Sequence, residues 1–183
     1  GSDDFVGGVY SAFSVAENGI LLVNATQGVE VGTEIFARHA VKHQKPLIIA
    51  VNQLDSEKQD WQATIDSLKA TFGNKVVLVQ YPVNPGPNFD TFIDVLKMKM
   101  YKFKDENGTR ESFEIPEEYK EEAQALHQQL VEMSAENDET LMETFFDKGQ
   151  LTEDEIRAGM KVGMQLGDIL PVFCLSAKKD IGV

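Results

Sequence analysis

Three near-continuous apolar runs of strand length constrain this chain more than any other feature: Gly19–Asn24 (GILLVN), Pro46–Val51 (PLIIAV) and Ile169–Leu175 (ILPVFCL). None alternates polar with apolar residues, so none suits a sheet with one wet face; each reads as a strand buried on both sides. Helical patterns lie beside them. Phe5–Ala16 and Thr33–Lys42 read as helices, and Trp61, Ile65, Leu68 and Phe72 recur at helical spacing to give one buried face. Apolar strands separated by helices predict an α/β fold with a parallel sheet covered on both sides.

More than a hundred residues separate the second run from the third, and their character differs. Lys75–Tyr81 (KVVLVQY) reads as one strand, and Pro82, Pro85, Gly86 and Pro87 then break the chain. A mixed segment runs through Phe103, Asp105–Thr109 is a polar turn, and Ser112–Ile115 is a candidate short strand. Three helices follow. The first carries a stripe of Tyr119, Ala123, Leu126, Leu130 and Met133, and the second one of Leu141, Met142, Phe145 and Phe146. The third opens at a capping box of Thr152 with Glu155 and carries Ile156, Met160 and Met164. Residues 1–74 and 166–183 are therefore expected to form the parallel-sheet body, and 75–165 an inserted α+β subdomain.

Charge narrows the function. The chain has 30 acidic against 17 basic residues, a net charge of −13, which argues against DNA or any broad phosphate-backbone partner. The acid is concentrated: from Glu111 to Glu155 there are fifteen Asp or Glu against Lys120 and Lys148 and no Arg. Such a surface is either a solvated face or one that steers a basic partner. No apolar run approaches the roughly 20 residues that span a bilayer, so no membrane partner is expected. The single cysteine, Cys174, lies within an apolar run and reads as a core residue, in keeping with a reducing cytoplasm.

Chemistry is expected where the strands end. Asn52-Gln53-Leu54-Asp55 directly follows PLIIAV, and open α/β sheets bind ligands beyond the carboxyl ends of their strands. The Asp55 carboxylate is acceptor-only and bidentate, suited to the adjacent N1–H and N2–H₂ donors of guanine. Asn52 would reach the ring or tie this loop to a neighbour. Ser176-Ala177-Lys178 follows the third apolar run some 120 residues later. There, backbone N–H groups beside small side chains would meet the base carbonyl O6, and the Lys178 stem would pack along the ring.

Two such loops in this order resemble the base-reading motifs N-K-x-D and S-A-K of the G-domain GTPases. Gly1-Ser2-Asp3-Asp4-Phe5 is similar to the end of D-x-P-G-H-x-D-F, the switch II motif of translational GTPases. Val23–Glu34, Phe173–Ala177 with Gly182-Val183, and the insertion (Ala135–Glu139, Leu141–Glu143, Leu151–Ile156) resemble elongation factor G in order and spacing. The resemblance spans essentially the whole chain. It implies a P-loop GTPase-type parallel sheet, here lacking the P-loop half. It further implies a cytoplasmic parent that binds GTP or GDP with Mg, engages the ribosome and promotes movement of tRNA and mRNA. In that family the insertion contacts the ribosomal stalk protein. Ribosomal protection proteins and GTPase release factors are relatives of the same kind. A rival reading makes the acidic insertion the working part, a binding module beside vestigial nucleotide machinery.

Three departures qualify the implied activity. No Gly-Lys pair occurs anywhere, so there is no G-x-x-x-x-G-K-[ST] to cradle phosphates and hold magnesium; this chain alone is expected to bind neither. Ser2 stands where the family has the histidine that positions the attacking water, while Gly1 would sense the γ-phosphate; if the two are a cloning remnant, that position goes unread. Gln53 replaces the lysine whose stem packs on the base. His39, His43 and His127 are scattered, with no partner set at zinc spacing.

Overall fold

The computed structural model describes residues 6–104 and 108–183. The switch II-like residues Gly1–Phe5 and most of the expected polar turn at 105–109 lie outside the described residues. The chain runs α1 (Val6–Val15), β1 (Gly19–Asn24), α2 (Val31–Lys42), β2 (Leu47–Asn52), α3 (Trp61–Phe72) and β3 (Val76–Leu78). It continues through β4 (Gln80–Pro82), β5 (Thr91–Asp94), β6 (Lys99–Phe103) and β7 (Arg110–Phe113). Three helices follow, α4 (Glu117–Ala135), α5 (Glu139–Lys148) and α6 (Glu153–Leu166), before β8 (Leu170–Cys174).

The three apolar runs become β1, β2 and β8, adjacent and parallel in a sheet of order β1-β2-β8-β3. A second sheet, antiparallel and of order β4-β5-β6-β7, belongs to the insertion. The stretch expected to be a single strand, Lys75–Tyr81, divides. Val76–Leu78 joins β8 in the parallel sheet and Gln80–Pro82 opens the antiparallel one. All three β3 residues are buried, although β3 is an edge strand of the parallel sheet. The chain leaves the parallel sheet after Leu78 rather than at Lys75.

Three further expectations are corrected. The parallel sheet is not covered on both faces throughout: Leu21 and Val23 are buried, but Ile20 and Leu22 are 66% and 63% exposed. Ile20 and Leu22 point to the face of β1 opposite the one that buries Leu21 and Val23. Phe146 is 78% exposed, whereas Phe145 packs against the core. The candidate strand at Ser112–Ile115 forms two residues earlier, at Arg110–Phe113, and is exposed throughout.

Helix boundaries follow local chemistry. Asp60 caps α3 by accepting the Ala63 N–H at 2.9 Å, and Asp138 caps α5 through the Thr140 and Leu141 N–H groups. The Thr152–Glu155 capping box forms as expected, and its hydrogen bonds hold the Glu155 carboxyl below the usual carboxylate range. Ala123, Leu130 and Ile156 are buried between α4 and α6; each large apolar side chain contributes about 1.5–3 kcal/mol.

Asp94 ends β5 with its Oδ1 accepting the Lys97 N–H at 2.9 Å. Burial raises its pKa, opposed by Lys97 and reinforced by Glu153. A carboxyl with a raised folded pKa favours the fold when protonated, and that stability is lost as pH rises through the folded pKa. Asp94→Asn keeps the acceptor without the charge. It should raise the melting temperature at neutral pH, with the gain shrinking as pH falls towards the unfolded carboxylate pKa. Thermal melts of both proteins across that range check the sign.

Candidate guanine-reading site

The register of the parallel sheet builds the site. Val51 of β2 lies opposite Cys174 of β8, and the ladder continues through the Leu175 N–H to Val51 carbonyl bond at 3.0 Å. The residues that follow each strand, Asn52 to Asp55 and Ser176 to Lys178, therefore emerge at one carboxyl edge. Two bonds then fasten the loops together. The Ser176 hydroxyl donates to Asp55 Oδ1 at 2.7 Å, and the Ala177 N–H donates to Asn52 Oδ1 at 3.0 Å. Residues more than 120 positions apart thus share one hydrogen-bonded unit.

Each loop is also braced from below. Leu54 is fully buried and anchors its loop in the core. Its neighbour Gln53 is exposed and adopts φ of +64°, a left-handed conformation costing a non-glycine residue about 1–2 kcal/mol. That strained step turns the chain so that Leu54 points inward. Ser176 caps a short 3-10 turn, Ala177–Lys179, by accepting the Lys179 N–H at 3.3 Å, and exchanges backbone bonds with Ile181.

These contacts sort the expected site residues. Asn52 takes the tying role, because its side-chain oxygen holds the other loop. Ser176 is fully buried, and its hydroxyl donates to Asp55 and accepts from Lys179 N–H. The Ala177 N–H is likewise taken, by Asn52. Asn52, Gln53, Asp55 and Lys178 remain on the wall of a cleft of about 630 Å³. Gly1 falls outside the described residues.

Sequence reasoning missed three contributors. Lys58 and Pro87 also line the cleft. Lys179 Nζ donates to the carbonyls of Pro87 at 2.5 Å and Phe89 at 3.4 Å, and the Gly86 N–H donates to Leu54 O at 2.7 Å. The Gly86–Phe89 segment is thereby fastened to both candidate loops. The Pro85-Gly86-Pro87 cluster signalled a turn, but nothing in the linear pattern told where that turn would pack.

Elsewhere the chemistry is structural. Among the described residues no group of three or more His, Cys, Asp or Glu is placed to hold a metal ion. His39 stacks on Tyr10 with ring centroids 4.2 Å apart and lies 4.4 Å from His43. His127 Nδ1 pairs with the Val95 carbonyl at 2.8 Å. Cys174 is wholly buried, which pushes its thiol pKa up and leaves it unreactive. No helix among the described residues is long and apolar enough to cross a membrane.

Comparison with known proteins decides the lineage: the elongation factor Tu GTP binding domain matches residues 1–183. The chain belongs to this translational GTPase family. An elongation factor G-like protein of Thermotoga maritima is 34% identical over all 183 residues. A crystal structure from Thermus thermophilus superposes over 100% of the chain with a TM-score of 0.88 and 29% identity. The chain spans only about a quarter of these relatives, 26% and 27% of their lengths. Within the family, the parallel sheet and the additional antiparallel sheet correspond to a G domain with an insertion.

Proposed function

We propose that this chain is the guanine-reading part of an elongation factor G-like GTPase, which binds GTP with magnesium and promotes ribosomal translocation. The observation that carries the reading is the pair of cross-loop bonds, Ser176 to Asp55 and Ala177 to Asn52. They hold a partly buried carboxylate at the carboxyl edge of a parallel sheet, where ligands of such folds bind. Asp55 would accept from guanine N1–H and N2–H₂. The stems of Lys178 and Gln53 would flank the ring. These residues fit the base; phosphate and magnesium contacts would fall to other parts of the intact protein.

The insertion suits a docking role within the same function. Glu117, Glu118, Glu121 and Glu122 are exposed on the first turns of α4, where they would steer a basic partner such as the ribosomal stalk protein. Cosedimentation of the intact protein with ribosomes tests the reading. Retention with a non-hydrolysable GTP analogue should clearly exceed retention with GDP, and the protein should move tRNA and mRNA by one codon in a toeprint assay. Equal retention with either nucleotide would favour a plain ribosome-binding module instead.

A further inference from the structure

The amino-terminal end of the parallel sheet carries a second, larger concavity that the nucleotide-reading function leaves unused. It encloses about 1560 Å³ between α2, the starts of β2 and β8, and α6. That volume matches about a dozen residues of a helix about 10 Å wide.

Its charge runs against the rest of the molecule. The chain holds 30 acids and 17 bases, yet this groove is lined by seven bases and three acids. Arg157, Lys161, Lys97 and Arg110 come from the insertion, and Arg38, Lys45 and Lys75 from the sheet side. Three of the seven are paired, Arg38 with Glu34, Lys75 with Asp168 and Arg157 with Glu153. Lys45 and Lys161, on opposite walls, have no ion-pair partner among the described residues. The local balance in this trough is thus the reverse of that of the chain as a whole.

The floor of the trough is apolar. Met160, Met164, Leu96, Leu170 and Phe173 form it, and Val41 and Leu166 stand on the rim at 68% and 63% exposure. Unbranched methionines adapt their shape to an incoming apolar surface. A floor of this kind under two basic walls is the complement of an amphipathic helix with an apolar stripe flanked by acids. A nucleic-acid strand fits less well. The lining holds only two aromatic rings, Phe72 and Phe173, each partly buried against the core, whereas single-strand binding relies on a series of exposed rings to stack successive bases.

We propose that this groove receives an acidic amphipathic helix of a partner protein. The site lies at the end of the sheet opposite the base-reading cleft, so it operates whether or not the nucleotide reading holds.

Fluorescence anisotropy with the 183-residue chain tests this, using a labelled 18-residue helical peptide with leucines on one face and glutamates on the other. Saturable binding is expected, weakened about tenfold or more in Lys45→Glu/Lys161→Glu and weakened again by raising salt from 50 to 300 mM. Exchanging the peptide's glutamates for glutamines, or its leucines for serines, should each remove most of the binding. Circular dichroism checks the fold of the double variant, and amide shift mapping on the wild-type chain supplies a readout free of mutation. Shifts clustered at Lys45 and Met160–Met164 support the assignment. The proposal is overturned by no binding, by equal binding to the double variant, or by shifts confined to α4. Tighter binding of a 12-nucleotide single-stranded RNA, or concentration-dependent self-association abolished by the double variant, would equally overturn it, assigning the groove to RNA or to a second copy.

Discussion

Asp55→Asn in the intact protein is expected to lower GTP affinity by about tenfold to a hundredfold and to raise affinity for xanthosine triphosphate. The wild-type carboxylate offers two acceptors to two guanine donors. Xanthine keeps N1–H but carries an oxygen at position 2, where the carboxylate would meet an acceptor. The asparagine amide offers one acceptor and one donor, the complement of that edge. Its orientation is set by the fold: the Ser176 hydroxyl, 2.7 Å from Asp55 Oδ1, accepts from Lys179 N–H and so has its proton free to donate. It selects the rotamer with the amide oxygen towards Ser176 and the NH₂ towards the cleft. A mispaired polar group in a partly buried site costs about 1–3 kcal/mol, which sets the fold-change. Competition between the two nucleotides on wild type and variant reads it directly. Ser176→Ala should weaken both nucleotides without reversing the preference. If Asp55→Asn leaves the preference unchanged, Asp55 does not read the base.

Gly159→Ala should destabilise the fold, although helix propensity alone forecasts the reverse. Gly159 sits within α6 against α4, and an added Cβ would lie 2.2 Å from the Ser134 carbonyl oxygen and 2.8 Å from its carbon. Both atoms are backbone of a packed helix, and the Ser134 hydroxyl is itself fixed on Leu130 O at 2.7 Å, so no flexible tip can yield. Alanine gains about 1 kcal/mol over glycine in a helix interior, while overpacking costs about 1–3 kcal/mol and more against unyielding backbone. A net loss of about 1–2 kcal/mol follows from those two terms, or a fall of several degrees in a domain of this size. Gly32, in the first turn of α2, is the control: nothing lies within 4 Å of its added Cβ, so Gly32→Ala should gain about 0.5–1 kcal/mol. Melting both variants beside the wild type separates the effects. A Gly159→Ala protein that gains stability as Gly32→Ala does would contradict the close α4–α6 packing.

Periodicity carried most of the fold. Near-continuous apolar runs have one economical solution, a parallel sheet, and the helical stripes at Trp61–Phe72 and Tyr119–Met133 report a buried face wherever they pack. The reading slipped where a local pattern has two solutions. Lys75–Tyr81 is apolar enough for one strand, but the bend after Leu78 depends on which sheet each half meets. Phe146 looks identical to Phe145 in sequence, and only the rotation of α5 against its neighbours exposes one and packs the other. GILLVN reads as buried on both faces, yet only the face that carries Leu21 and Val23 is packed, and Ile20 and Leu22 on the other are exposed.

For the site, the residue types were legible by themselves. An acceptor-only carboxylate after one apolar strand and small residues before a lysine after another point to base recognition through hydrogen-bonding valence, which is a property of the side chains. Which of these polar atoms bond to one another was decided by tertiary structure alone. The parallel register of β2 and β8 brings Asn52, Asp55, Ser176 and Ala177 together, with the Ser176 hydroxyl bonded to Asp55 and the Ala177 N–H to Asn52. The bracing by Gly86 and Lys179, and the collection of seven bases into one groove of an acidic chain, likewise arise from residues brought together across long sequence separations. Sequence pattern reports what each segment must bury; where polar groups meet depends on how distant segments pack.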